Sequence, residues 1–277
     1  MLKWGGMTER ARRSSDIGAA VPAVPVRDLV LEAAIAHEQV DLLYQPLIET
    51  RTGRIVGAEA LARSPAARSA EALFARAQAA ALGERLSRLI QRKALRCAAV
   101  WEGPLRHLGI SINLLPADIS RPGYERWLLE EIEAAAFDPR RITLEITESA
   151  LLVDEQAVVT RLGLLREEGI RIAVDDFGTG YASLAYLTTL PLDMLKIDRG
   201  LVAEIVEGTR DRIVVKATIG LARELGLKVV VEGVENEAQL ALLTEWGCEL
   251  YQGFFGAGPM SHEALSDFVA SAHVEAA

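Results

Sequence analysis

The chain alternates short apolar runs with longer segments whose hydrophobic positions recur at helical spacing. The short runs predict strands at Leu42–Pro46, Ile55–Leu61, Gly109–Asn113, Ile142–Ile146, Ile170–Val174, Met194–Ile197, Lys228–Val231 and Leu250–Phe254. The longer segments predict helices over 70–100, 123–136, 154–168, 200–225, 236–246 and 262–273, and an amphipathic helix runs from Val26 to about Gln39. Only a short turn around Thr52-Gly53 joins the first two strands, which predicts a hairpin with one strand antiparallel. Eight strands with intervening helices predict an α/β fold, a (β/α)8 barrel with an irregular start. A doubly wound sheet is the alternative, because strand order cannot be read from the pattern. Residues 1–22 are polar and irregular, and read as a flexible lead-in to one barrel over 23–277.

Polar side chains recur where each apolar run ends. They are Gln45, Glu59, Asn113, Glu145, Asp175 with Asp176, Lys196 with Asp198, Glu232 with Glu235, and Gln252. Any one of them has an ordinary reading as a cap or an exposed strand end. Their recurrence predicts one mouth, because barrel enzymes build their active sites from the C-terminal strand ends. The centre of the pattern is Ile172–Leu184, where two adjacent carboxylates precede a Gly178-Thr-Gly180 turn and Ser183 can cap the next helix. The turn partly matches a dinucleotide fingerprint. Ser183 stands where its third glycine belongs, however, and two acids would repel a pyrophosphate.

Charge narrows the chemistry. Acids outnumber bases 39 to 30, a net charge of −9, so the broad basic footprint of a DNA- or RNA-binding protein is missing. Glu59, Glu145, Asp175, Asp176 and Glu232 on one mouth would carry about −5, of which Lys196 offsets one unit and two divalent cations about four. Oxygen donors with a single Asn favour Mg²⁺ or Mn²⁺ over Zn²⁺. His37, His107, His262 and His273 are scattered and form no zinc pattern. Two such cations suit in-line phosphodiester hydrolysis, with Lys196 orienting the water or offsetting charge. A Schiff-base role for Lys196 is disfavoured, because neighbouring acids hold the amine protonated. Cys97 and Cys248 lack a CxxC pattern and read as buried free thiols. No apolar run is long enough to span a membrane and no signal-peptide core is evident, which predicts a cytoplasmic protein.

Glu59-Ala-Leu61, Asp175-Asp-Phe-Gly-Thr-Gly-Tyr181, Leu195-Lys-Ile-Asp-Arg199 and Glu232-Gly-Val-Glu235 resemble the motifs of the EAL-domain cyclic-di-GMP phosphodiesterases, over residues 26–272. The resemblance implies a modified barrel with one antiparallel strand. It implies hydrolysis of cyclic di-GMP to linear pGpG with two Mg²⁺ or Mn²⁺ ions, and inhibition by Ca²⁺. By position, Glu59, Asn113, Glu145 and Asp175 look like ligands of a first metal, and Asp175, Asp176 and, directly or through water, Glu232 of a second. Lys196 looks like the water-orienting lysine. Glu232 is also similar to the family's general base, which leaves its role open between base and ligand. Gln45 and Arg63 fall at substrate-contact positions, and Asp198, Glu235 and Gln252 resemble further pocket residues. Phe177, Gly178, Thr179 and Gly180 resemble a regulatory loop that Glu148 anchors. That loop and the helix after it, around Tyr181 to Leu190, imply a homodimer.

Two departures stand out. The family continues after Arg63 through a Trp and a His-Pro pair, whereas here Ser64–Ser69 is short. Ser87 stands where the family carries an acid. The expected protein is an active phosphodiesterase, and the effect of the short loop on substrate affinity is left open. The alternatives are a catalytically silent cyclic-di-GMP receptor that signals through a protein partner, and a scaffold that has lost the ligand.

Overall fold

Successive residues of a strand point to opposite faces, and this alternation sets the layers of the protein. The structure is a computed structural model that describes residues 27–147, 155–178 and 186–275. Eight strands close a barrel in chain order: β1 Asp41–Glu49, β2 Ile55–Arg63, β3 Gly109–Leu114, β4 Ile142–Thr147, β5 Arg171–Phe177, β6 Met194–Ile197, β7 Lys228–Val231 and β8 Leu250–Tyr251. β1 runs antiparallel to both β2 and β8, and every other neighbouring pair is parallel. The hairpin and the barrel are therefore both present. Closure excludes the doubly wound alternative, which requires open edges.

The strands read as nearly continuous apolar runs because they are covered on both faces. Outward side chains such as Ile112, Leu144, Ile172, Leu195 and Val229 pack under the helices in the main core. Inward side chains Leu47, Ala173, Met194, Val230 and Leu250 form a separate plug inside the barrel. Burying one such aliphatic side chain stabilises the fold by about 1.5–3 kcal/mol.

The helices are α1 Leu29–Ala36, α2 Ala70–Ala79, α3 Gly83–Ala99, α4 Pro116–Ile119, α5 Tyr124–Ala134, α6 Glu155–Glu167, α7 Tyr186–Thr189, α8 Arg199–Val202, α9 Thr209–Glu224, α10 Glu237–Trp246 and α11 His262–Glu275. Two predicted helices are broken. The segment 70–100 divides at Ala81, which takes φ 56°. Leu73 and Ala77 of α2 share one apolar cluster with Leu86 and Ile90 of α3 and with Leu31 and Ile35 of α1. Folding back onto that cluster overrides the strong helix propensity of Ala80, Ala81 and Leu82. The segment 200–225 divides into α8 and α9 at the extended Gly208. β8 is shorter than predicted. Gly253 adopts φ 153°, where a Cβ would stand 2.1 Å from the Val234 carbonyl oxygen, and the chain leaves the sheet there. Of the two cysteines, only Cys248 is buried; Cys97 is half-buried, and both are free thiols.

Candidate active site at the carboxylate mouth of the barrel

One step up each strand from the plug, the inward position becomes polar. Two residues beyond Met194 stands Lys196, beyond Ala173 stands Asp175, beyond Val230 stands Glu232, and beyond Leu250 stands Gln252. Lys196 is 1% exposed, and its Nζ lies 2.7 Å from Glu232, 2.8 Å from Glu145, 3.1 Å from Asp175 and 3.5 Å from Glu59. Asn113 Nδ2 donates to Glu59 Oε1 at 2.8 Å. A carboxylate only accepts, so this bond fixes the amide orientation, with Asn113 Oδ1 as its acceptor end. Glu59, Asn113, Glu145, Asp175, Lys196 and Glu232 are thus brought to one rim by six different strands or strand ends.

Asp176 should point away from that rim, being one residue beyond Asp175. It does not, because its backbone takes φ 57° and the pairing of β5 with β6 shifts between Val174 and Phe177. Asp tolerates this left-handed conformation better than most residues. The Asp176 N–H donates to Asp175 Oδ1 at 3.0 Å. Ligand atoms of Asp175, Asp176 and Glu232 all lie within 4.8 Å of one another, the one such acidic, His or Cys trio among the described residues. Strain of this kind gathers at functional sites.

Five carboxylates share one ammonium here. Burial works against the charge of Lys196, but Glu145, Glu59, Asp175 and Glu232 outweigh it and hold the lysine well above its usual pKa. It stays an ammonium, which leaves no free amine for Schiff-base chemistry. Burial, then the charge of Glu59, pushes Glu145 far above the usual carboxylate range. Burial raises Glu232 to about 7, and burial with Asp175 and Asp198 raises Asp176. The site carries more negative charge than its own lysine neutralises.

The remaining predicted residues are placed less uniformly. Gln252 is 2% exposed; its Nε2 donates to Glu59 Oε2 and to the Gln45 carbonyl, both at 3.4 Å, and its Oε1 has no partner among the described residues. Gln45 pairs in register with Glu59, and its amide donates to the Ala257 carbonyl at 3.3 Å. Arg63 ends β2, with its guanidinium bonded to the adjacent Ala62 carbonyl at 2.9 Å. Asp198 caps α8 through the Gly200 N–H at 2.8 Å. Glu235 is exposed. Phe177 is buried at the end of β5 and Gly178 follows it. Glu148, Thr179, Gly180 and the segment 181–185 lie outside the described residues.

A buried polar network behind Asn113 was not foreseen. Ser87 donates its hydroxyl to Asp118, Gln91 Nε2 lies 3.0 Å from Ser87 Oγ, and the Tyr124 hydroxyl donates to Gln91 Oε1 at 2.8 Å. Arg121 pairs with Asp118 at 2.8 Å. The acid beside Ser87 is therefore supplied from α4, the short helix after β3. The signal was the i, i+4 spacing of Ser87 and Gln91 on a helix face that is otherwise apolar.

A family model described as the EAL domain matches residues 29–259. The chain is 34% identical over 252 residues to the cyclic di-GMP phosphodiesterase NbdA of Pseudomonas aeruginosa, covering 89% of this chain and 32% of that protein. Among solved structures, a PaMucR phosphodiesterase in complex with c-di-GMP superposes with a TM-score of 0.79 at 34% identity, covering 85% of this chain and 97% of that one. A manganese and cy-diGMP complex of BlrP1 from Klebsiella pneumoniae gives a TM-score of 0.73 at 31% identity, covering 80% of this chain and 56% of that one. The chain spans about a third of the length of the curated relatives it matches, 32%, 32% and 29% for three of them. A closed barrel with one reversed strand, a lysine ringed by carboxylates and a family match over most of the chain lead to one assignment: the chain belongs to the EAL domain family.

Proposed function

We propose that this chain is a divalent-metal-dependent phosphodiesterase that hydrolyses cyclic di-GMP to linear pGpG. The observation that carries the reading is the convergence of Glu59, Glu145, Asp175 and Glu232 on the Nζ of Lys196, with every distance at or below 3.5 Å. The donors at this rim are carboxylates and one amide oxygen, and they are negatively charged beyond what Lys196 balances. That set fits hard cations such as Mg²⁺ or Mn²⁺. Glu59, Asn113, Glu145 and Asp175 would hold one ion, and Asp175, Asp176 and Glu232 a second. Bound divalent ions would lower the pKa of water and stabilise charge on phosphodiester oxygens.

The chain's own groups do the rest. Lys196, buried and held charged, donates hydrogen bonds to the attacking water and offsets charge that builds during displacement. Glu232 sits near neutrality in the metal-free protein and can accept a proton, as well as serve as a ligand. Gln45 and Arg63 stand at the same mouth to meet the substrate, with the buried Gln252 behind them bonded to Glu59; a guanidinium fork suits phosphate oxygens. Asp198 and Glu235 are assigned to the outer pocket. The loop through Gly178, with Glu148 as its anchor, is proposed to join two copies of the chain into a dimer. Analytical ultracentrifugation tests that assignment.

The decisive experiment incubates the protein with cyclic di-GMP and Mn²⁺ and follows the products by chromatography. The expected product is pGpG. Folded protein that yields none would remove the enzyme reading. Calorimetry with cyclic di-GMP and Ca²⁺, which is expected to permit binding without turnover, would then separate a receptor from a scaffold.

A further inference from the structure

The opposite end of the barrel holds a second chemical environment. β5 points Arg171, Ala173 and Asp175 inward in turn, so Arg171 lies about 13 Å below Asp175 at the strand rise. There it borders a cavity of about 400 Å³, within the range of small-ligand pockets. Lys228, which opens β7, and Arg54, from the β1–β2 turn, also border it, as do the inward hydroxyl-bearing residues Ser111 and Thr143. Glu49 is the one carboxylate among the lining residues, and Arg54 already grips it through two bonds of 2.6 and 3.3 Å.

Arg171 has no such partner among the described residues. Its Nε is buried and makes no hydrogen bond to any of them. Asp193 acts on it electrostatically, but that carboxylate is engaged by Arg166 and by the Ile172 N–H, at 2.9 and 3.0 Å. Burial pulls the guanidinium below its ordinary pKa. An arginine nonetheless stays protonated, so the charge waits for a counter-ion. Gly109 makes room for it: a Cβ there would stand 3.0 Å from Arg171 Nη2. An unpaired, partly buried charge is costly unless something occupies the space beside it. Planar guanidinium forks match the oxygens of phosphate.

We infer that this lower cavity is an anion site for a small phosphate-bearing molecule, with Arg171 as the fork and Lys228 as the second cation. The site is separate from the carboxylate mouth, and the inference does not depend on the phosphodiesterase reading. Inorganic phosphate and the phosphate group of a nucleoside monophosphate present the same chemistry, and the test uses both.

The full chain, stripped of metal with EDTA so that the carboxylate mouth repels anions, is titrated at low salt with inorganic phosphate and separately with GMP. Saturable binding is expected. Equal affinities would identify the inorganic ion as the ligand, and tighter GMP binding a phosphate monoester whose body meets the apolar lining. Arg171→Gln should weaken binding by about tenfold or more, as loss of a charge-assisted pair implies. Lys228→Gln, on an exposed residue, should weaken it severalfold. Arg27→Gln, at an exposed arginine that does not line the cavity, should leave it unchanged. If Arg171→Gln fails to fold by circular dichroism, Arg171→Lys keeps the charge without the fork, and it too should weaken binding. Absence of saturable binding in the parent protein overturns the inference. So does unchanged affinity in the folded Arg171 and Lys228 variants.

Discussion

Lys196 is a cation built into a ring of acids, and its removal separates binding from turnover. Lys196→Ala should lower hydrolysis by roughly 10²–10⁴-fold, the usual worth of a positioned proton-handling group. Mn²⁺ should still bind, because the carboxylates lose their competitor. Initial rates and calorimetry on the same preparation check both halves; a variant with parental turnover would remove Lys196 from the chemistry. Asp175→Asn has the opposite signature, since Asp175 is asked to touch both ions: Mn²⁺ affinity should collapse, and an unchanged titration would contradict the ligand assignment. Glu59, Asn113, Glu145, Asp175, Lys196 and Glu232 were legible in the sequence because a polar residue closing an apolar run is conspicuous. Asp176 was legible at the rim as the second of two adjacent acids, but the means of its approach was not. That approach depends on a backbone turned to φ 57°, which no spacing encodes. Asp118 was invisible for a different reason, since its partners Ser87 and Gln91 lie about thirty residues upstream and meet it only through packing.

At the scale of elements, the parallel strands were the clearest part of the sequence. Burial on both faces writes them as apolar runs, and β6 and β7 begin and end where the runs do. Helix breaks were the least clear. The α2–α3 corner consists of good helix formers and is imposed by the cluster beneath it. Ala81 therefore carries strain that glycine would not. Relief of about 1–2 kcal/mol should exceed the roughly 0.4–1 kcal/mol that glycine's unfolded-state freedom costs. Ala81→Gly is expected to raise Tm by about 1–3 °C, and thermal melts that fall instead would show the corner to be unstrained. The network behind β3 makes a second prediction. Tyr124 is fully buried and its hydroxyl donates to Gln91 at 2.8 Å. Tyr124→Phe leaves that amide oxygen without a donor and should cost about 1–3 kcal/mol in denaturant unfolding. No loss would mean that the hydroxyl is dispensable.

At the scale of the whole molecule, the barrel is held by its plug and outer core, while its mouth is electrostatically unfinished without cations. Divalent ions should therefore stabilise the entire fold. At about 100 times the dissociation constant a single site contributes about 2.7 kcal/mol, and thermal melts with Mn²⁺ should shift upward while EDTA reverses the shift. Asp175→Asn should lose the response. Barrel closure could be expected from eight strands and seven connections, but its seam could not, because β8 contributes only two residues and meets β1 through a single short pairing of Ile48 with Tyr251 and Glu49 with Leu250. The reversal of β1 also decides what the leading helix can reach. Asp41 lies opposite Arg63, and Arg76 ties α2 to Asp28 at the start of α1, with one contact of 2.9 Å. In a barrel whose strands all ran the same way, whatever tugged on the residues ahead of the first strand would pull at the far floor. Here it pulls on the rim where the carboxylates gather.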